Sequence, residues 1–311
     1  MKSVLTVKSS PHLRHPDTTT GIMLDVILAL LPACIFGCIS FGFSALFVLL
    51  TCVVSAVLSE YLWTLILKKP LTINDLSAVV TGLILGMCLP PKTPLWIAAI
   101  GSVIAIIVVK QMFGGLGFNF ANPAATARIA LLVSFPAALT KFSEPIVHTV
   151  SSATPMAELS EKTVSYTLKE LFFGMTGGCI GETSAFLLIV GGAYLLIRRV
   201  INPFTPICFI GTVALLSFLF GENVSIAVFG GGLMLGAIFM ATDYTTSPTT
   251  PLGKVIFGVG CGILTFVIRR FAALPEGVSY AILIMNILVP YINQISSFKP
   301  FGYVKPEKEA A

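Results

Sequence analysis

The residues that could do chemistry in this chain are a few hydroxyls, one arginine inside an apolar run and one acid near a helix end. The strongest local signal is Ser151-Ser152-Ala153-Thr154-Pro155. It is a small, hydroxyl-rich turn in which Pro155 holds Thr154 extended, so the Thr154 hydroxyl is exposed and approachable. On chemistry alone an ordinary polar turn is the simpler account. Arg128 is a charge within an apolar segment. Such charges face the protein interior and are functional candidates by default; snorkelling to an interface is the alternative, and Asp243 is one candidate partner. Gly114-Gly115-Leu116-Gly117 stands at a helix junction. There glycine lets backbone approach a ring or phosphate, or lets helices pack tightly through small residues. In Gly181-Glu182-Thr183-Ser184, Thr183 or Ser184 can cap the next helix with Glu182 near its positive end. Glu60 precedes Lys68 and Lys69 by about two helical turns, which places it at an interface rather than at an ion site. Cys34 and Cys38 are spaced i,i+4 on an apolar helix, and His12, His15 and His148 are the chain's histidines. These do not make a converging four-ligand metal site. The cysteines read as small buried hydrophobes.

The elements that position these residues are set by composition. Hydrophobic residues make up 56% of the 311 and charged residues 11%, with a mean hydropathy of +0.95. A soluble domain carries about 25% charge, so lipid must be the solvent over much of this surface. The net charge of +5 is then no nucleic-acid signal, because basic residues in such a chain mark cytoplasmic loops. No cleavable signal pattern is read at the N-terminus. A helix crosses a bilayer in about 20 apolar residues. Ten segments qualify: 22–40, 43–67, 77–90, 94–112, 120–136, 184–200, 205–220, 224–241, 253–269 and 278–296. A long polar stretch separates the fifth from the sixth, and a loop of that length is usually functional. With the N-terminus inside, twelve basic residues, Lys110 among them, fall inside and six fall outside, with Arg269 and Arg270 dissenting on the outer side. The expectation is therefore cytoplasmic termini and an extracytoplasmic loop.

An internal repeat is visible. Gly82-Leu83-Ile84-Leu85-Gly86 matches Gly232-Leu233-Met234-Leu235-Gly236, Pro94-Leu95 matches Pro251-Leu252, and Gly117-Phe118-Asn119-Phe120-Ala121 matches Gly277-Val278-Ser279-Tyr280-Ala281. Five spans per copy force the copies into opposite orientations, and inverted repeats place binding sites at discontinuous helices. The third and eighth segments are the candidates for a break, at Leu89-Pro90-Pro91 and at Ala241-Thr242-Asp243; a plain loop after a short helix is the alternative. The expected fold is an all-α membrane protein of about ten transmembrane helices in two inverted five-helix repeats. Its divisions are a cytoplasmic N-terminus (1–21), a first repeat (22–136), an extracytoplasmic loop (137–183), a second repeat (184–296) and a cytoplasmic C-terminus (297–311).

Motifs in family order run the length of the chain: Ser10-Pro11-His12, Gly114-Gly115-Leu116-Gly117-Phe118-Asn119, Asn122-Pro123-Ala124, Ser152-Ala153-Thr154-Pro155, Gly181-Glu182-Thr183-Ser184-Ala185, Ala241-Thr242-Asp243 and Pro275-Glu276-Gly277-Val278-Ser279-Tyr280-Ala281. In these the chain resembles the D subunit of the Rnf complex, a family shared with the B subunit of the sodium-pumping NADH:quinone reductase. The short N-terminus favours the Rnf type. The resemblance implies FMN held on Thr154 by a phosphoester, with Ser152 where the motif usually has glycine before Ala153. It implies a separate flavin transferase that installs the FMN, and it leaves room for a second, non-covalent flavin such as riboflavin. Ser152, Ala153, Gly115, Gly117, Asn119, Glu182, Thr183, Arg128 and Asp243 are the candidate cofactor contacts, Arg128 facing either a flavin ring or Asp243. The implied function is electron relay within a bacterial inner-membrane complex, among other membrane and peripheral subunits, that couples ferredoxin:NAD electron transfer to Na⁺ or H⁺ movement. A solute channel or transporter with inverted repeats, or a structural anchor for redox partners, would fit the repeat and the broken helices as well.

Overall fold

The computed structural model describes residues 18–68, 70–140, 167–174, 177–182, 184–272 and 277–297. Thr183 and the Ser152-Ala153-Thr154 turn lie outside these residues. Every expected apolar segment falls on a helix. Helix α1 (Thr19–Phe41) starts where the Thr18 hydroxyl accepts from the Gly21 amide, and it stops at Gly42, whose φ of 74° turns the chain straight into α2 (Phe43–Ile66). Helices α3 (Ser77–Met87) and α4 (Leu95–Val103) are separated by the Pro90-Pro91 turn, and α4 continues as a π-helix over Ile104–Gln111. Asn122 caps α5 (Pro123–Ser134), Pro123 supplies its first turn, and the short α6 (Pro136–Leu139) follows.

In the second half, α7 (Leu168–Phe173) begins with a capping box between Thr167 and Glu170. Then come α8 (Ala185–Ile197), α9 (Phe204–Leu219) and α10 (Val224–Phe229). The eighth segment is interrupted at Gly230-Gly231-Gly232 and resumes as α11 (Leu233–Leu235), which runs on as a π-helix over Gly236–Met240. Helices α12 (Pro251–Phe271) and α13 (Gly277–Ser296) complete the described chain. The discontinuity expected in the eighth segment is present, but within the segment rather than after Ala241. Three consecutive glycines supply no side chains to hold a helix together. The third segment forms a helix only to Met87, three residues before Pro90.

Among the described residues four helices, α1, α2, α12 and α13, are long and apolar enough to cross a membrane. At about 1.5 Å per residue the 23 residues of α1 span about 35 Å, more than the hydrocarbon core of about 30 Å. Large apolar side chains cover the outside: Phe43, Ile66 and Phe218 are each more than 70% exposed. Where helices meet, glycine brings backbones together. A Cβ on Gly82 would lie 2.8 Å from Val53 Cα, and one on Gly258 would lie 2.8 Å from the Thr205 carbonyl oxygen.

The packing of the two halves follows one pattern. Helix α2 packs on α3 and α4, as α9 packs on α10 and α12. Helix α4 with its π extension packs on α5, as α12 packs on α13. Helix α1 lies against α8, and α5 against α13.

Two expectations are corrected. Lys110, counted among the basic residues of the inner side, is not in a loop. It is 2% exposed at the end of the π-helix. Glu60, read as interfacial, is fully buried and paired with it. Arg269 and Arg270 are also within a helix, in the last turn of α12. Arg269 donates to the carbonyls of Ala227, just before the glycine break, and Gly231, within it, and Arg270 pairs with Glu222.

Candidate functional site

The two π-helices end beside one cavity. The first delivers Lys110 and the second leads through Ala241 to Thr242 and Asp243, all but Ala241 on its wall. Single π turns inside α-helices recur at functional sites. The glycine-rich turn lies between the first π-helix and the α5 cap. Gly114, Gly115 and Gly117 have φ of 122°, 98° and 95°, a region that L side chains rarely adopt. A Cβ on Gly117 would meet nothing within 4 Å. Backbone conformation, and not tight helix packing, is therefore what requires glycine at that position. The turn carries Leu116 and Asn119 onto the cavity wall, which Val80 of α3 and Phe239 also line.

Amides and hydroxyls tie the cavity floor together. Asn119 Nδ2 donates to Thr245 Oγ1 at 3.0 Å and to the Ala121 carbonyl at 3.2 Å. Asp243 accepts from the Thr245 amide and hydroxyl and from the Thr246 hydroxyl, at 3.3, 2.9 and 3.2 Å. Burial of its carboxyl raises the Asp243 pKa above the ordinary value, partly offset by those bonds. Asn122 donates to the Met240 carbonyl at 3.1 Å while its oxygen caps α5. Asn286 of α13, oriented to satisfy its neighbours, donates to the Thr246 carbonyl at 3.1 Å and accepts from the Asn122 amide at 2.9 Å. The start of α5, the end of the second π-helix and the middle of α13 are thus locked into one frame. Within it, Asn119 Oδ1 is buried and has no hydrogen-bond partner, although a buried acceptor left unmade costs about 1–3 kcal/mol.

Arg128 lies six residues beyond Asn122 on α5, about 9 Å along the axis. Asp243 is not the partner the structure gives it. Arg128 Nη2 stands 3.7 Å from Glu182 Oε1 and donates to Cys179 Sγ at 3.4 Å. Glu182 also accepts from the Cys179 amide, and a Cβ on Gly232 would lie 3.3 Å from Glu182 Oε1. Arg128 and Glu182 therefore form a second polar centre, against the glycine break. Ser184 is the residue that caps α8, through the Leu187 amide. Cys34 is buried and Cys38 half-buried, as small hydrophobes would be.

Of the expected site residues, the structure brings Asn119, Asp243, Gly115 and Gly117 to or beside the cavity, and Arg128 and Glu182 to the other centre. Sequence reasoning missed Lys110, Asn286 and the role of Asn122. The amide of Asn286, set in the apolar middle of the tenth segment, was a usable sign of its role. Lys110 offered none, because a lysine at the end of an apolar run reads as a loop residue.

Comparison with known proteins identifies the family of the chain. Residues 6–302 match the model of the NQR2, RnfD, RnfE family. The chain is 45% identical to the D subunit of the Na(+)-translocating ferredoxin:NAD(+) oxidoreductase complex of Acetobacterium woodii, over 98% of each chain. It is 43% identical to the D subunit of the proton-translocating ferredoxin:NAD(+) oxidoreductase complex of Clostridium ljungdahlii, over 97% of each. It is 38% identical to the D subunit of the ion-translocating oxidoreductase complex of Stutzerimonas stutzeri, over 90% of this chain and 91% of that one.

Proposed function

The chain belongs to the NQR2, RnfD, RnfE family, and from that membership we propose that it is a flavin-carrying electron-relay subunit of a membrane complex that couples ferredoxin:NAD electron transfer to Na⁺ or H⁺ movement. In this reading ten spans form two inverted halves, with both termini cytoplasmic and the Thr154 loop outside. The repeated packing pattern supports the two halves, and the glycine break fits a discontinuous helix in one of them. A flavin transferase esterifies FMN to Thr154 in the outer loop. A second, non-covalent flavin of the riboflavin type occupies the cavity. Other subunits of the complex and the lipid bilayer complete the surroundings.

The observation that carries the second site is the unpartnered Asn119 Oδ1 in the cavity wall. A flavin ring offers one N–H donor between two carbonyls, along with a flat apolar body. Asn119 can accept from that N–H, while Val80 and Phe239 supply apolar walls. The frame built by Asn122, Asn286 and Asp243 fixes Asn119 without using its free oxygen. A bound flavin accepts and passes electrons one at a time or in pairs; the chain's part is to hold, orient and exclude water. In this reading Arg128 and Glu182 are polar contacts expected for the covalent flavin. Asn119→Leu tests the cavity. The purified wild-type chain should retain riboflavin through gel filtration, and the variant should lose at least about tenfold in affinity, one lost hydrogen bond to a buried acceptor. Equal retention by both would refute this placement.

A further inference from the structure

Asp25 is an acid buried in the second turn of α1, among the cavity-wall residues Ile22, Met23 and Val26. An acid inside an apolar span is a functional candidate whose partner should be named. Here the partners come from the other half of the chain. Tyr194 Oη donates to Asp25 Oδ1 at 2.8 Å, and Arg198 Nε and Nη2 donate to Oδ2 at 3.2 and 3.1 Å. Both residues stand at the end of α8, where Arg198 is the cap. The Arg199 amide then donates to the Leu196 carbonyl and the Val200 amide to the Leu195 carbonyl, at 3.0 and 2.9 Å. This is the Schellman closure, which calls for one left-handed residue and usually has glycine there. Arg199 takes that place with a φ of 59°, so the turn is strained. The closure folds Val200 back toward Leu195, and both line the cavity with Ile201. Asn202 Oδ1 accepts from the Phe204 amide at 3.1 Å, where α9 begins. Residues 199–203 are therefore a short strap on the cavity wall, and Asp25 fastens it to α1.

Helices α1 and α8 do not need this pair to stay together. Deeper in, Gly191 lies so close to the Ala29 carbonyl that a Cβ on it would collide there. Arg198 is seven residues beyond that contact, about 10 Å along the axis. What the pair fixes is the end of α8 and the strap. The other walls are fastened among buried groups: Asn122, Asn286 and the Met240 carbonyl in one place, Glu60 and Lys110 in another. The strap's fastening, by contrast, reaches water. The Arg198 side chain is 55% exposed, and Arg199 beside it is exposed as well. An ion pair with an exposed partner is weakly held, whereas a buried pair is broken only against a large penalty. We propose that the Asp25–Arg198 pair is the latch of the cavity, and that the strap is the door through which its occupant enters and leaves. The latch stands on this geometry alone; the identity of the occupant rests on the flavin reading above.

The first test needs no flavin. In the full purified chain, Ile84→Cys puts a thiol on the cavity wall at a buried position. Its reaction with a water-soluble maleimide is followed site by site by mass spectrometry. Asp25→Asn keeps an acceptor for Tyr194 but removes the charge that holds Arg198. It should speed labelling about tenfold, the scale of one charge-assisted hydrogen bond. Arg198→Gln should do the same and Arg198→Lys should do less. Asp25→Asn and Arg198→Gln together should label no faster than either alone, because the two residues share one latch. Cys52 and Cys261, buried and not on the cavity wall, are the internal control. Labelling unchanged by Asp25→Asn, or a matching rise at Cys52 and Cys261, would overturn the latch. In the second test riboflavin entry and release are followed by fluorescence. Both should be about tenfold faster in Asp25→Asn with affinity nearly unchanged, since a latch acts on rates and not on the contacts of the bound state. Unchanged rates in a chain that labels faster would overturn the strap as the door. A wild-type chain that binds no riboflavin, with the labelling result standing, would overturn the flavin reading of the cavity and leave the latch in place.

Discussion

Single residues decide what this cavity can bind, and Asp243 shows how. Its carboxyl is held by two threonines yet is buried enough to be pushed toward the neutral form. A carboxyl with a raised folded-state pKa contributes stability at low pH and loses it as pH rises through that value. Asp243→Asn does not titrate. Relative to the wild type, it should therefore gain thermal stability as pH is raised from below 4 to neutrality. Melting curves across that range in detergent check the sign; a difference that is flat, or that falls with pH, would mean that Asp243 is not penalised by burial. At this scale the sequence was legible where the residue type is itself unusual. Arg128 stands out against apolar surroundings, Asp243 is an acid just past the end of the eighth segment, and Asn119 sits in a glycine-rich junction. Their partners were not legible. Arg128 meets Glu182 rather than Asp243 because the two lie at different depths along α5, and depth follows from packing.

Helix ends were written in the chain by proline, glycine and capping side chains, so the segments and the described helices agree closely. The departures come from backbone features without a periodic signature. A π turn changes which way Lys110 and Gln111 face, so that adjacent residues both reach Glu60. The break at Gly230-Gly231-Gly232 hides inside a run whose hydropathy stays high. Its exposed carbonyl groups must be satisfied within the protein, since lipid cannot do it. Arg269 does this for Ala227 and Gly231. Bonds to a charged donor are worth about 1.5–3 kcal/mol each, so Arg269→Met should lower unfolding stability by about 3 kcal/mol, while the exposed Arg270→Met should cost less than about 1 kcal/mol. Denaturant titration of both variants distinguishes them, and equal small losses would mean that the break needs no anchor.

The whole molecule is a multi-pass membrane protein whose two polar centres lie at different levels of α5. The cavity is lined by the first turns of α1, including Ile22 and Met23, and so lies toward the N-terminal end of that helix. Under the proposed orientation it faces the cytoplasm and the Thr154 loop faces outward, which would put one flavin near each surface. That orientation rested on the distribution of basic residues. Burial of Lys110 removes one of the inner twelve, and the bonds of Arg269 and Arg270 give the outer pair a structural purpose. A cysteine at Glu161 should react with an impermeant thiol reagent in intact cells; reaction only after the membrane is opened would reverse the orientation. The central claim is that this chain carries flavin covalently, and flavin content after denaturation tests it most directly. The chain is co-expressed with a flavin transferase, purified and run on a denaturing gel. The account predicts a fluorescent band holding one FMN per chain, abolished by Thr154→Ala, with a second flavin released on denaturation. A wild-type band without fluorescence, or fluorescence that persists in Thr154→Ala, would contradict it.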